Sequence, residues 1–453
     1  MQAKLPEFVE SLFEKFSKGS FEIYLVGGAV RDLLMERPIK DWDFTTNATP
    51  QEILSLFPKA FYNNKFGTVG IPEEAESESK KIYEVTTFRR EIGYSDKRHP
   101  DKVVWGETLQ EDLGRRDFTI NAIALAIPPP TSHPITPIII DPFLGQEDIK
   151  AKLIRAVGDP NKRFFEDALR MMRAVRIATE IGFAIEPKTF EAIKNNTSLI
   201  NKIAKERIKD ELLRILASNY PEEGIKLFFS SGLMEEILPE LIRGYGMAQA
   251  KHHIYDVWTH SLLSLKNCPS RDPIVRLATL VHDIGKPVVA KGEGEARTFY
   301  NHEVVGASIA ANFADRIRLS KDQKEKLVTL VRWHQFSVDE RQTDSAIRRF
   351  IKNVGKENLD DILAVRTGDR LGGGARETSW RLEKYKKRIE EVQKQPFSLT
   401  DIKVNGKDVM EVLNTTPGPI IGKILNQLFE EVVEGKIKNR RNILLKRIQE
   451  FRQ

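Results

Sequence analysis

FEIYLVGGAVRDLL, residues 21–34, followed by DWDFTT, residues 41–46, decides the architecture of the N-terminal part. Ile23–Val26 is an uncharged, β-branched and aromatic run that reads as a buried strand. Gly27-Gly28 then turns the chain, and Arg31 opens a helix. Asp41-Trp42-Asp43-Phe44 alternates polar and apolar, the pattern of a strand with one wet face. On such a strand Asp41 and Asp43 point the same way, with Cα atoms about 6.5–7 Å apart. Two carboxylates so placed can share divalent cations, as two-metal phosphoryl transfer requires, and oxygen-only ligands suit Mg²⁺. The Gly-Gly turn allows close backbone approach to a phosphate, and the start of the following helix offers free N–H groups.

Outward from this stretch, PQEILSLF reads as a helix and KIYEVTTFRR as a further strand. Residues 89–112 show little periodicity and read as a mobile loop, and the Pro/Thr/Ser-rich stretch from Pro128 to Pro137 reads as a surface insertion. From about Ile149 the pattern turns helical. RFFEDALRMMRAVRIATEIGF carries a continuous 3.6-residue apolar rhythm with Gly182 as its stop, which places Asp167 and Arg170 at i, i+3 on one helix. KIAKERIKDELLRILAS is a second amphipathic helix, and KLFFSSGLMEEILPEL a short helical pair. Six of the eight histidines lie between His252 and His334. Gly372-Gly373-Gly374 reads as a hinge before a basic helical tail.

The motifs LVGGAVRDLL…DWDFTT, EVTTFR, EDLGRRDFTINAIA and RAVGDPNKRFFEDALRMMRAVRIA resemble those of the class II tRNA nucleotidyltransferase and bacterial poly(A) polymerase family, in order and spacing over the first half of the chain. The resemblance implies an α+β fold: a polymerase-β-like nucleotidyltransferase head (1–148), a helical neck and body (149–244), an HD domain (245–372) and a basic, tRNA-binding tail (373–453). It implies template-independent addition of CCA to the 3′ end of tRNA from CTP and ATP. By that resemblance Asp41 and Asp43 hold Mg²⁺, with Glu84 the third carboxylate. Gly27, Gly28 and Arg31 lie against the triphosphate, and Arg115, Arg116, Asp117 and Asn121 organise triphosphate and sugar. Asp167 and Arg170 face the incoming base, with Glu166 bracing Arg170. Arg173 and Arg176 continue the helix toward phosphate or toward Glu166. In the family, a loop of full length after the EVTTFR strand goes with complete CCA addition. Enzymes adding only CC, only A, or poly(A) share the fold and stand as alternatives.

His260, His282-Asp283 and Asp369 follow the H…HD…D order of the HD phosphohydrolases, and each motif reads as lying on an apolar helix. Imidazole and carboxylate suit a first-row divalent transition metal, with His302 and His334 as further ligands. His253 and, with less force, His252 read as ordinary core or surface residues. If active, such a centre hydrolyses phosphate esters at RNA ends. A phosphohydrolase whose head only binds nucleotides is the reading of another class.

The 453 residues carry 71 Lys+Arg and 65 Asp+Glu. From Leu371 onward there are 17 basic and 11 acidic residues, so the first 370 cancel and the whole excess of +6 sits in the tail. Lys436, Lys438, Arg440 and Arg441, after the Pro417-Gly418-Pro419 break, are the candidate RNA contacts; Lys and Arg on backbone phosphates give salt-sensitive, shape-based affinity. The single cysteine, Cys268, excludes an intramolecular disulfide and a cysteine zinc cluster. No run of about 18 apolar residues predicts a membrane span, and the charged N-terminus does not read as a secretory signal. These features fit the cytoplasm.

Overall fold

Trp42, Phe44, Tyr83 and Val85 are all buried, while Asp41, Asp43, Glu84 and Ile82 between them are exposed. That alternation builds the centre of the N-terminal sheet. The computed structural model describes residues 5–39, 41–64, 67–73, 81–92, 102–106, 108–127, 137–249, 254–339, 341–377, 379–393 and 399–451. One unit runs to Ile242 and takes in Arg316–Arg318; the other spans Arg243–Asp315 and Leu319 onward.

In the first unit the strands are β1 (Ile23–Val26), β2 (Asp43–Thr46), β3 (Phe61–Asn64), β4 (Thr68–Pro72), β5 (Ile82–Thr87), β6 (Arg89–Ile92), β7 (Lys102–Trp105), β8 (Ala124–Ala126) and β9 (Ile138–Ile140). Seven of them form one sheet in the order β3-β4-β5-β2-β1-β8-β9. Only β2 and β5 run parallel; the other neighbours are antiparallel. The helix α1 (Glu7–Lys18) buries Val9, Leu12, Phe13 and Phe16, a helical stripe that packs into the same core as Leu25, Phe44 and Val85. The fold is the mixed α+β type read from the sequence.

Residues 89–112 differ from the loop reading. β6 and β7 pair antiparallel, Arg89 opposite Trp105, and a short helix, α3 (Leu109–Gly114), comes after them; α2 (Gly28–Leu34) and the helix Pro50–Leu56 lie earlier in the chain. Two short segments far apart in this stretch supply the ladder, so a local window shows no period. Residues 93–101, the Pro-rich residues 128–136, and His252 and His253 lie outside the described residues.

The long helical rhythm is also divided. α4 (Pro160–Glu166) ends at Asp167, whose backbone is extended (φ −137°, ψ 104°), and α5 (Leu169–Ile181) begins beyond it. The Asp167 carboxylate accepts the Leu169 N–H at 3.0 Å, satisfying one of the free donors of the new helix. Asp167 and Arg170 therefore do not share a helix. Gly182 closes α5 in the left-handed conformation, as its position predicts, and α6 (Lys205–Ala217) packs against α5.

The second unit is helical: α7 (Val257–Lys266), α8 (Pro273–Val281), α9 (His302–Arg316), α10 (Lys321–Trp333), α11 (Leu359–Gly372), α12 (Trp380–Gln393), α13 (Gly406–Leu413), α14 (Pro419–Val433) and α15 (Arg441–Glu450) are its principal elements. The last three enclose a small core of Val409, Leu428, Leu444 and Ile448. Among the described residues no helix is long and apolar enough to cross a membrane.

Gly372 is not at a hinge. It is the last, buried residue of α11, and a Cβ there would lie 2.3 Å from Ser264 Oγ and 2.6 Å from the Ser264 backbone nitrogen on α7. The glycine lets two helix backbones touch. Gly372→Ala should cost about 1–3 kcal/mol of overpacking strain and lower the melting transition of this unit by roughly 2–10 °C in calorimetry. An unchanged transition would show that the helix crossing has room for a methyl group.

Candidate active site and metal centre

Asp43 and Glu84 are register partners across the parallel β2–β5 pair, so both carboxylates stand on the exposed face of the sheet. Asp41 lies just before β2 and is exposed on the same alternation, with Trp42 buried between. Burial by surrounding protein raises the Asp43 carboxyl; Asp41 adds to this, while Arg116 and Arg173 oppose it. Carboxylates that repel one another at the end of a strand are a donor set that a divalent cation relieves.

Val26 pairs with Asp43 on the other side of β2, so the Gly27 turn begins level with the carboxylates. Gly27 has φ +73°, and a Cβ there would lie 3.1 Å from Arg116 Nη1 and 3.6 Å from Asp43 Oδ2. Only glycine suits both the backbone and the space. Gly28 starts α2, which has only seven residues, so side-chain cations supply the positive charge here.

Two buried carboxylates hold those cations. Asp112, fully buried, accepts Arg115 at 2.6 and 3.0 Å and Arg116 at 3.2 Å. Burial alone would raise its carboxyl, but the two arginines hold it below the ordinary range. Arg116 Nε is buried without a hydrogen-bond partner among the described residues, a donor left for an anion. Asp117 accepts Arg173 at 2.6 and 2.8 Å and the Asn121 amide at 3.1 Å. Burial opposes its charge, and Arg173 with Asn121 nevertheless brings it well below the usual carboxylate range. Asn121 in turn accepts Arg31 Nη1 at 2.9 Å. Arg31, Asn121, Asp117 and Arg173 thus form one continuous chain of hydrogen bonds.

Glu166 accepts Arg170 Nη1 at 2.8 Å, the brace that was expected. Arg170 also donates to the carbonyls of Arg163 (3.2 Å) and Arg115 (3.0 Å). Arg207 on α6, which the sequence did not single out, donates to Asp167 at 3.1 Å, and its Nη1 is buried without a partner among the described residues. Neither later arginine of α5 supports Glu166. Arg173 serves Asp117, and Arg176 is enclosed by Glu211 at 2.6 Å and Glu180 at 2.8 Å. Asp112 and Arg207 were missed because each acts through a partner distant in sequence or within a run of other charges.

In the second unit the predicted histidines and aspartates converge. His260 Nε2 lies 3.1 Å from His282 Nε2, 3.2 Å from Asp369 Oδ1 and 3.5 Å from Asp283 Oδ2. The other oxygen of Asp283 faces His302 Nε2 at 3.3 Å and His334 Nε2 at 3.8 Å. His302 and His334 are 3.3 Å apart through Nε2. Asp283 therefore stands between two groups of imidazoles, one at each oxygen.

His260 and Asp369 lie within α7 and α11, but His282-Asp283 and His334 come just after the ends of α8 and α10. This position has a consequence for the rings. His282, His302 and His334 each donate Nδ1–H to the carbonyl three residues earlier, Thr279, Phe299 and Val331, at 2.7–2.9 Å. For His282 and His334 that carbonyl lies in the last turn of a helix, where it lacks a helical partner; His302 opens α9, and Phe299 precedes that helix. The bond fixes the tautomer and leaves the Nε2 lone pairs turned inward. Two such lone pairs 3.3 Å apart need a cation between them, so the donor set fits a metal. Burial, then the neighbouring His282, pushes His334 down to about 3, keeping it neutral. Burial works against a charged Asp283, yet His282 and Lys286, the latter 2.6 Å away, carry it well below the carboxylate range.

Gly285 secures the geometry: a Cβ there would lie 2.1 Å from the His302 carbonyl oxygen. A cleft of about 540 Å³ opens over the centre, with Lys286, Arg297 and Arg366 among its lining residues.

In the tail, Arg441 pairs with the buried Asp408, and Lys436 lies 2.7 Å from Glu434. Lys438 and Arg440 are exposed.

Residues 23–155 match the poly A polymerase head domain family, residues 182–244 the family described as "Probable RNA and SrmB- binding site of polymerase A", and residues 305–448 the tRNA nucleotidyltransferase domain 2 family. The CCA-adding enzyme of Limosilactobacillus reuteri (strain DSM 20016) is 33% identical over 450 residues, covering 97% of this chain and 95% of the relative. That of Geobacillus stearothermophilus is 32% identical over 438 residues, covering 96% and 95%. Among solved structures, the Bacillus stearothermophilus CCA-adding enzyme in complex with CTP superposes with a TM-score of 0.73 at 29% identity, covering 99% of this chain and 98% of that one. The Thermotoga maritima CCA-adding enzyme complexed with tRNA has the same fold, with a TM-score of 0.61 at 18% identity, covering 99% and 97%. With such identity over almost the whole of both chains, this protein belongs to the family of CCA-adding enzymes, the tRNA nucleotidyltransferase and poly(A) polymerase family.

Proposed function

We propose that this chain adds C, C and A to the 3′ end of tRNA from CTP and ATP. The observation that carries the chemistry is the register pairing of Asp43 with Glu84, with Asp41 alongside and the Gly27 turn at the same level. Asp41, Asp43 and Glu84 would hold the divalent metal, which we assign as Mg²⁺; it would neutralise triphosphate charge and favour the deprotonated 3′-hydroxyl. In the step itself the tRNA 3′-oxygen forms a bond to the α-phosphorus as the α–β bridging P–O bond breaks and pyrophosphate leaves. Arg116, anchored by Asp112, and Arg31, anchored through Asn121, take the triphosphate at fixed positions. Fixed donors need no reorganisation as charge develops. Glu166, Asp167, Arg170 and Arg207 offer acceptors and guanidinium forks to the edges of C and A in place of a template. Lys438 and Arg440 serve as backbone-phosphate contacts, and the cytoplasm is the proposed site of action.

A second reading concerns the other unit, favoured by the two imidazole groups that share Asp283. His260, His282, Asp283 and Asp369, with His302 and His334, would hold first-row divalent metal and form an HD-type phosphohydrolase acting at RNA ends. Lys286, Arg297 and Arg366 would bind the phosphate. One water is consumed: its oxygen bonds to phosphorus as the ester P–O bond breaks, one proton goes to the leaving sugar oxygen, and the phosphate carries the other.

Transcripts ending at the discriminator base, at C and at CC, supplied with CTP, ATP or both, should all be completed to CCA. Stopping at CC, or extension of CC ends alone, would identify a partial enzyme instead. Asp43→Asn should lower turnover about 10³-fold, a loss of several kcal/mol of transition-state stabilisation, while tRNA affinity stays near wild type. Near-normal turnover would remove Asp43 from the centre.

Replacing Lys438 and Arg440 together by Ala should weaken tRNA binding and flatten its log–log salt slope by about 2, leaving CTP binding unaltered. An unaltered slope would place the RNA grip elsewhere.

A further inference from the structure

α11 presents two arginines one helical turn apart, Arg366 and Arg370, beside Asp369. Arg366 pairs with Asp369 at 3.2 Å, and its guanidinium carbon lies 5.6 Å from the centre of the Phe336 ring. That ring is fixed by packing on Phe350 and Tyr385, at 4.8 and 5.7 Å between centroids. Arg366 Nε is buried without a hydrogen-bond partner among the described residues. Near it, at the start of α12, Trp380 is 61% exposed, with the Arg381 guanidinium 5.2 Å from its ring centre.

Phe336, Arg366, Arg370, Trp380 and Arg381 all line one cavity of about 390 Å³, and no acidic residue is among the described residues that line it. Arg366 lines both this cavity and the cleft over the histidine centre. A ligand spanning both would place an anionic group at Arg366 and the metal-ligand cluster, and a flat aromatic group against Trp380. An exposed indole with a stacked guanidinium is a surface on which nucleobases stack, and the volume falls within the range of small-molecule sites. A phosphate ester joined to a base has both parts.

We propose that this cavity is a nucleoside subsite, so that the substrate of the histidine centre is a nucleotide phosphate ester, its phosphate beside Arg366 and its base on Trp380. The proposal rests on the phosphohydrolase reading of that centre for its chemistry, but the binding it describes can be measured separately. Trp380 is a specificity-determining residue, outside the nucleotidyl-transfer site.

The test uses the full chain loaded with Mn²⁺, with calorimetry for binding and phosphate release for turnover. The probes are adenosine 3′-monophosphate, a short RNA with a 3′-phosphate, inorganic phosphate and p-nitrophenyl phosphate. Wild type should bind the nucleotide at least ~10-fold more tightly than inorganic phosphate, since stacking of one base contributes about 1–3 kcal/mol. Trp380→Ala should erase that difference, Trp380→Phe should restore most of it, and neither should alter metal stoichiometry, inorganic phosphate affinity or CCA addition. Tighter binding of the RNA than of the mononucleotide, lost in Trp380→Ala, would make an RNA end the source; equal binding, lost likewise, would make it a free nucleotide. Nucleotide affinity unchanged in Trp380→Ala overturns the subsite. Trp380-dependent binding without hydrolysis of any probe upholds the subsite and overturns the phosphohydrolase reading alone.

Discussion

The parallel pairing of β2 with β5 is the constraint on which the head depends. It sets Asp43 opposite Glu84, and because β1 pairs antiparallel on the other edge of β2, it brings Val26 and the Gly27 turn to the same level. Alternation leaves no freedom in this arrangement. Phe44 and Val85 face the core beside the two carboxylates, so a slip of one residue would bury two acids and expose two large apolar side chains. Core packing and site geometry are thus one condition.

The arginines around this site are held by buried acids other than the three carboxylates of the strands. A guanidinium left alone keeps considerable rotamer freedom; paired to a buried carboxylate, it has one position. Asp112 fixes two neighbours in sequence, Arg115 and Arg116, and Asp117 fixes Arg173 while passing its effect through Asn121 to Arg31. At these two positions a buried acid is the means by which positive charge is aimed. In the tail, where the excess lies, Arg441 is likewise committed to Asp408, so the count of basic residues overstates what remains to meet an RNA.

Sequence legibility followed the range of the interactions. The strand–turn–helix–strand core was readable from period-two alternation, and the H…HD…D order from short motifs. The break at Asp167 was not, because a capping carboxylate one residue outside a helix leaves the apolar rhythm of RFFEDALRMMRAVRIA intact. Gly372 resembled a hinge because three glycines in a row read as flexibility, whereas its reason is Ser264, more than a hundred residues away. Arg176 continued a row of arginines at three-residue spacing, but its place is decided by Glu211 on α6. Arg207 had no local pattern at all. For Gly372, Arg176 and Arg207 the deciding atom belongs to a residue that no local window along the chain includes.

The two donor sets of the molecule differ in kind, and this bears on how each would be used. The head offers carboxylates alone, on an exposed sheet face beside arginines suited to a triphosphate. Hard oxygen donors of this type hold Mg²⁺ with water and substrate phosphate completing the shell, so the cation and the nucleotide belong together. The second unit offers four imidazoles, three of them with tautomers fixed by backbone carbonyls, around a carboxylate that is 2% exposed. Those lone pairs are aimed before any substrate arrives, and imidazole favours later first-row metals over Mg²⁺. A cation in the first set would exchange with each turnover; one in the second would be part of the folded protein, stabilising it by mass action. Glycine at 285 and 372 makes that second set possible, by letting backbones approach closely enough for Asp283 and Asp369 to reach imidazoles carried on other helices.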